Sequence, residues 1–246
     1  MSPFFAREPD WPRTLGAELE QGPVEIPLRV HPRARSYRLT INAGGSPVLT
    51  VPPHGRLSEA RQFLVRHAAW LDARLKRAPG PVDFAPGNAV PLRGVAHRLA
   101  SSGTLRGRAA LGDGPDGPTI IVPGAPEHFA RRLTDWLKLE AAIDLEERVI
   151  VHARRLEVRH KSISLRDQST RWGSCASSGR LNFNWRLILA PPFVLDYVAA
   201  HEVAHLLQMN HSPAFWSTVE KTLPDYKPGR AWLKANGRTL MAYGVR

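Results

Sequence analysis

The sequence predicts an α+β protein with a β-rich N-terminal module, and three observations carry that prediction. Short runs of alternating character recur between Val24 and Pro52 and again from Ser162 to Ala190. Two long stretches, Ser58–Arg77 and Pro126–Glu157, repeat their apolar residues at helical spacing. A third, Pro192–Trp216, is apolar nearly throughout yet carries three histidines and a glutamate. With 246 residues, 43% of them hydrophobic, the chain suffices for one large domain or two small ones.

Residues 1–22 lack sustained periodicity and hold several prolines and glycines, so they read as a poorly ordered arm. Strand-like runs follow at VEIPLRV, SYRLTIN and SPVLTVP, with Asn42–Gly45 as a turn and Pro52–Pro53 as a stop. Arg33, Arg35 and Arg38 group here; they could grip an anionic surface, and are read more simply as solvated edge protection. Ser58 opens a helix to Arg77, in which Phe63, Leu64, His67, Leu71 and Leu75 form one stripe. His67 on that face is a packing residue rather than a ligand, and Trp70 is expected in the core.

From Ala78 to Pro126 the chain is rich in Gly and Pro, with short strands expected at 90–92, 95–100 and 119–122 and a flexible turn at 112–118. The module of residues 23–125 shows no evident chemistry. Pro126 opens a long helix with Phe129, Leu133, Trp136, Leu137 and Val149 among its apolar positions, suited to pack behind the histidine-bearing segment. SISLRD, STRWGSC and RLNFNWRLILA read as strands, the last two joined as a hairpin at 176–179. After the histidines come a helix at 212–223, a break at Pro224 and Pro228, and a short last helix at 229–236 ending at Gly237. Residues 126–246 thus form the part that carries chemistry.

That chemistry lies in His201-Glu202-x-x-His205-x5-His211. Residues four apart share a helix face, so the imidazoles of His201 and His205 can point at one ion. Zinc favours neutral imidazole and, in catalytic sites, takes three protein ligands and leaves a fourth position to water. Glu202, one residue after the first ligand, can stand beside that water and accept its proton. The helix must then turn for His211 to reach back. Asn210 is a residue type that tolerates a left-handed cap, while Ser212 and Pro213 read as the start of a new helix. Histidines and a glutamate in so apolar a helix are costly unless they serve a purpose, which favours a Zn2+ site over chance.

A net charge of +12 and a pI near 10.8 point to polyanionic partners, whether nucleic acid, nucleotides or acidic proteins, although the arginines are scattered. The single cysteine, Cys175, excludes an internal disulfide and a thiol cluster, and reads as a buried thiol. No apolar run reaches the length of a membrane span, and Glu8, Asp10 and three prolines interrupt any signal-like core near the N-terminus; a cytoplasmic protein is expected.

The segments RWGSC (Arg171–Cys175), LNFNWRLILAPP (Leu181–Pro192), HEVAHLLQMNHSPAFW and the terminal PDYK with WLKANG resemble the YgjP-like metallopeptidase family of the zincin superfamily, over about residues 24–243. The resemblance implies a minimal zincin-like fold in which His201, His205 and His211 bind zinc and Glu202 serves as base and acid. Gln208 stands where metzincins have a glycine, and Met241 is a poor candidate for their Met-turn. The leading expectation is zinc-dependent peptide hydrolysis of a peptide or protein substrate. Alternatives are a metal-dependent nucleotide phosphohydrolase on the same site and a basic nucleic-acid-binding module with a vestigial zinc. Tyr197, Tyr226, Arg171 and His152 are chemically able to stabilise an oxyanion, each read more simply as structural. The Arg171–Ser174 strand could offer its edge to an extended substrate.

Overall fold

Alternation on four N-terminal strands leaves one apolar sheet face, and a single helix covers it. In the computed structural model, which describes residues 11–42, 45–77, 80, 82–168 and 170–244, the chain divides into two units, Met1–Gly80 and Pro81–Arg246. The first holds β1 (Thr14–Leu19), β2 (Gly22–Val30), β3 (Arg38–Ile41), β4 (Pro47–Val51) and α1 (Leu57–Arg77). The sheet order is β1-β2-β4-β3, with β1–β2 and β3–β4 antiparallel and β2–β4 parallel. Ile26, Leu49, Val51, Leu64 and Leu71 form its core.

Two expectations change here. Residues 14–22 belong to a strand pair, because Leu15 and Ala17 point into the core while their neighbours face out; residues 1–10 of the expected arm lie outside the described residues. Trp70 is 42% exposed, since it falls beside the α1 stripe rather than on it. His67 packs as expected, its ring stacked on Phe63 with centroids 4.1 Å apart. Gly45 N–H donates to Asn42 O at 3.1 Å, while positions 43 and 44 of that turn lie outside the described residues.

The second unit opens with β5 (Ala89–Leu92), β6 (Val95–Ser101), β7 (Ala110–Gly114) and β8 (Gly117–Val122), in the order β5-β6-β8-β7. A 3-10 turn at Pro126–His128 leads into α2 (Phe129–Arg155). Then come β9 (Ser162–Arg166), β10 (Gly173–Cys175), β11 (Arg180–Asn184), α3 (Pro192–Ala204), α4 (Pro213–Thr222) and α5 (Lys227–Leu240).

Strands β5 to β8 were expected to close an N-terminal module ending at 125; instead they share a core with the helices. Leu92, Leu99, Ile120 and Val122 need cover, and the α2 residues Phe129, Leu133 and Leu137 belong to the same cluster. The glycine-rich stretch at 112–118 is the β7–β8 hairpin, with Gly117 at φ +103. Residues 185–189, read as strand, form a buried 3-10 turn capped by the Asn184 side chain, which accepts from Arg186 N–H at 3.0 Å. The last helix runs through Gly237 to Leu240; a Cβ at Gly237 would crowd Trp172, so that glycine serves close packing rather than termination.

Helix α3 is buried on almost every side, and α2 lies against it. A polar tie holds α2, α3 and α4 together. His152 is wholly buried, with Nε2 2.8 Å from Asp196 Oδ1 and Nδ1 2.8 Å from Thr222 Oγ1. Burial works to raise the Asp196 carboxyl, but hydrogen bonds from His152 and Arg148 outweigh it and hold the group below its ordinary value. No helix among the described residues is long and apolar enough to cross a membrane.

Candidate metal centre

The HExxH segment occupies the last turn of α3. That helix starts with a proline in its first turn and ends at Ala204, leaving His205 as its C-cap. His201 and His205 therefore remain on one face, with ring centroids 4.9 Å apart. Beyond the cap the chain tightens: Leu206 N–H donates to Val203 O and Gln208 N–H to Ala204 O, both at 3.0 Å. The elbow is not built on a left-handed Asn210. Positive φ outside glycine occurs, among the described residues, only at Arg93 and Glu157. Instead Asn210 Oδ1 accepts from Ser212 N–H at 3.2 Å, an Asx turn that aims His211 back at the helix. Ser212 is the N-cap of α4 and Pro213 follows within its first turn.

One ligating nitrogen from each of His201, His205 and His211 lies within 4.8 Å of the other two. Nε2 of His211 is 3.1 Å from Nε2 of His201. The Nδ1 atom of His205 is 2.8 Å from Gln208 O, which places the proton on Nδ1 and leaves the Nε2 lone pair free. Nδ1 of His201 is buried and finds no acceptor among the described residues, so Nε2 is the nitrogen that can gain a partner. Burial first, then the other two histidines and Arg230, push the His201 imidazole down to about 3, and burial also lowers His205. A neutral imidazole offers a lone pair. This donor set, three nitrogens and no sulfur, fits a borderline-soft divalent ion such as zinc.

Phe215 seats all three rings. Its centroid lies 4.8 Å from His201, 4.4 Å from His205 and 4.9 Å from His211, and its side chain is fully buried. Trp216 stacks beside His211 with centroids 6.0 Å apart. One turn of α4 thus fixes ring positions supplied by α3 and the elbow. Sequence reading took this stretch as family signature without seeing that role, although an aromatic pair four and five residues after the last histidine was the available signal.

Glu202 points toward β10 and is 5% exposed. Burial pushes its carboxyl up to about 8, with the Arg171 charge pulling the other way. A neighbouring dication would act in the same direction as Arg171. Gly173 makes room for it: a Cβ there would overlap the Oε1, Cγ and Cδ atoms of Glu202. The first strand residue of RWGSC is a glycine for that reason. Gly173→Ala is therefore expected to displace the carboxylate and lower turnover by about a hundred-fold while metal content, read by elemental analysis, stays at the wild-type value. Unchanged turnover would mean that the carboxylate position is not critical.

The other candidates fall elsewhere. His152 belongs to the buried tie with Asp196 and cannot reach a substrate. Tyr226 is buried, its ring 5.6 Å from Trp216 and 6.4 Å from Tyr197. Tyr197 is 7% exposed, edge-on to His201 at 5.8 Å, and burial pushes its phenol up to about 12. Arg171 is exposed beside Glu202. Cys175 is half-buried, and burial, then the Glu202 charge, raises its thiol. Met241 packs against Asn184 with Sδ 3.6 Å from its Nδ2. Sequence reasoning missed Arg230, whose guanidinium carbon sits 4.2 Å over the Trp216 ring.

A histidine triad of this kind, with a buried carboxylate beside it on an α+β scaffold, could hold one divalent ion, as metal-dependent hydrolases do. Residues 35–236 match the family described as YgjP-like, metallopeptidase domain, and the chain belongs to that family. A solved structure, the crystal structure of the metallopeptidase zymogen of Pyrococcus abyssi abylysin, is 21% identical, with a TM-score of 0.34 over 37% of this chain and 93% of that one. No curated protein matches the chain.

Proposed function

We propose that the protein is a zinc metallopeptidase in which His201, His205 and His211 hold the ion and Glu202 is the general base and acid. The observation that carries this reading is the convergence of the three imidazoles on Phe215 with a buried carboxylate adjacent. Bound zinc supplies Lewis acidity, which polarises a carbonyl and lowers the pKa of water. The chain's own groups do the rest. Glu202 takes a proton on its carboxylate from the attacking water and returns it to the leaving amine; burial raises this carboxyl, and a bound dication would lower it again and so favour the ionised form that accepts the proton. Gly173 keeps that carboxylate in place, and the Gln208 carbonyl keeps the His205 tautomer fixed.

β10 is an edge strand of its sheet, in the order β10-β11-β9, and it runs beside Glu202. An extended peptide can pair with it, which would bring a backbone carbonyl toward the triad. The test sets a disordered protein and a panel of nucleoside triphosphates side by side with zinc-loaded protein. Cleavage of the protein substrate that stops on chelation and returns with zinc is the expected result. Release of phosphate or pyrophosphate without proteolysis would replace this reading by phosphoanhydride hydrolysis, and nucleic-acid affinity without either activity would replace it by a binding module.

A further inference from the structure

Arg230 stands where its charge opposes a bound cation. Its guanidinium carbon lies 4.2 Å over the Trp216 ring, and Trp216 is 5.9 Å from the His201 ring. The placement is built. Gly229, the preceding residue, lets α5 press against α3: a Cβ there would lie 2.6 Å from Tyr197 Cβ and 2.9 Å from Phe193 O. Tyr197 is one turn before His201 on the same face, so the first turn of α5 is brought alongside the candidate metal centre. No carboxylate of the described residues forms an ion pair with Arg230.

Helix electrostatics sharpen the point. The first turn of α5 holds Lys227 and Arg230 and no acidic residue, and its N-cap Tyr226 makes no side-chain cap bond. Cations at a helix N-terminus oppose the macrodipole, which there favours an anion. Asp225, the nearest carboxylate in sequence, pairs with neither. A planar guanidinium stacked on an indole is pre-organised, and its N–H edge remains available for a bidentate anion.

We infer that Arg230 and the first turn of α5 form a carboxylate subsite that holds an anionic group of the peptide substrate next to the triad. This rests on the metallopeptidase reading above for the nature of the substrate. The carboxylate comes either from an acidic side chain near the scissile bond or from the free C-terminus of a short peptide. A carboxylate bound there also offsets the repulsion between Arg230 and the ion.

The test is equilibrium binding, by fluorescence anisotropy, of labelled peptides built on an alanine–serine background to Glu202→Gln protein, with zinc and with chelator. In one arm a single Glu is scanned along the peptide against Gln at the same position. In the other a free C-terminus is set against its amide. Tighter binding of the charged member, by about ten-fold in one arm, is expected, and Arg230→Gln is expected to abolish the preference while leaving zinc content unchanged. The arm that responds identifies the source of the carboxylate. No preference in either arm, or a preference that survives Arg230→Gln, overturns the proposal. Discrimination at equilibrium by a chain that never cleaves peptides leaves the subsite standing and removes the peptidase reading; cleavage without discrimination does the reverse.

Discussion

Glu202→Gln is expected to lose peptide hydrolysis by about a hundred- to ten-thousand-fold while still binding one zinc per chain, because that is what a well-placed general base contributes and the amide has no proton-accepting oxygen anion. The substitution is nearly isosteric, so Gly173 and β10 remain where they are. The amide also removes the cost of burying, or protonating, a carboxyl at a site only 5% exposed, and the metal-free variant is expected to unfold at the same temperature as wild type or higher. Activity, metal content and thermal midpoint together separate loss of the base from loss of fold. Turnover at the wild-type rate would remove Glu202 from the chemistry.

The second large effect concerns the ligands. His205→Ala empties a ring stacked 4.4 Å from Phe215, so it is expected both to lose zinc and to destabilise the site. His211→Ala is the cleaner variant, because His211 is exposed and its removal leaves little cavity. Zinc sites of several ligands bind with about 10–16 kcal/mol, so one ligand contributes about 4 kcal/mol, or about a thousand-fold in affinity. Added zinc is then expected to raise the thermal midpoint of wild type and to leave that of His211→Ala unchanged at the same concentration. Equal stabilisation of the two proteins would show that the ion sits elsewhere.

How much of this was legible in the sequence depends on where the information lies along the chain. The ligand spacing is local. His201 and His205 are one turn apart, and His211 follows within a single elbow, so a linear reading finds all three. The long helix α2 was equally legible because its apolar residues repeat over many turns. What supports the triad is non-local. Gly173 is adjacent to Glu202 only once β10 packs beside α3, and Arg230 reaches Trp216 only because Gly229 allows α5 to approach Tyr197. No periodicity records such meetings. The division of the chain was misread for a related reason: Gly and Pro mark both linkers and hairpins, and only the shared core of Leu99, Ile120 and Leu133 shows which they are. The elbow shows a third kind of error, since Asn is suited both to a left-handed cap and to an Asx turn, and the chain uses the second.

Anomalous diffraction at the zinc edge from crystals of the zinc-loaded protein bears most directly on the central claim. A single strong peak bonded to Nε2 of His201, His205 and His211, with the Glu202 carboxylate outside the coordination sphere, is the expected result. A peak bonded to fewer than two of these histidines, or an ion held by Glu202 itself, would contradict the account.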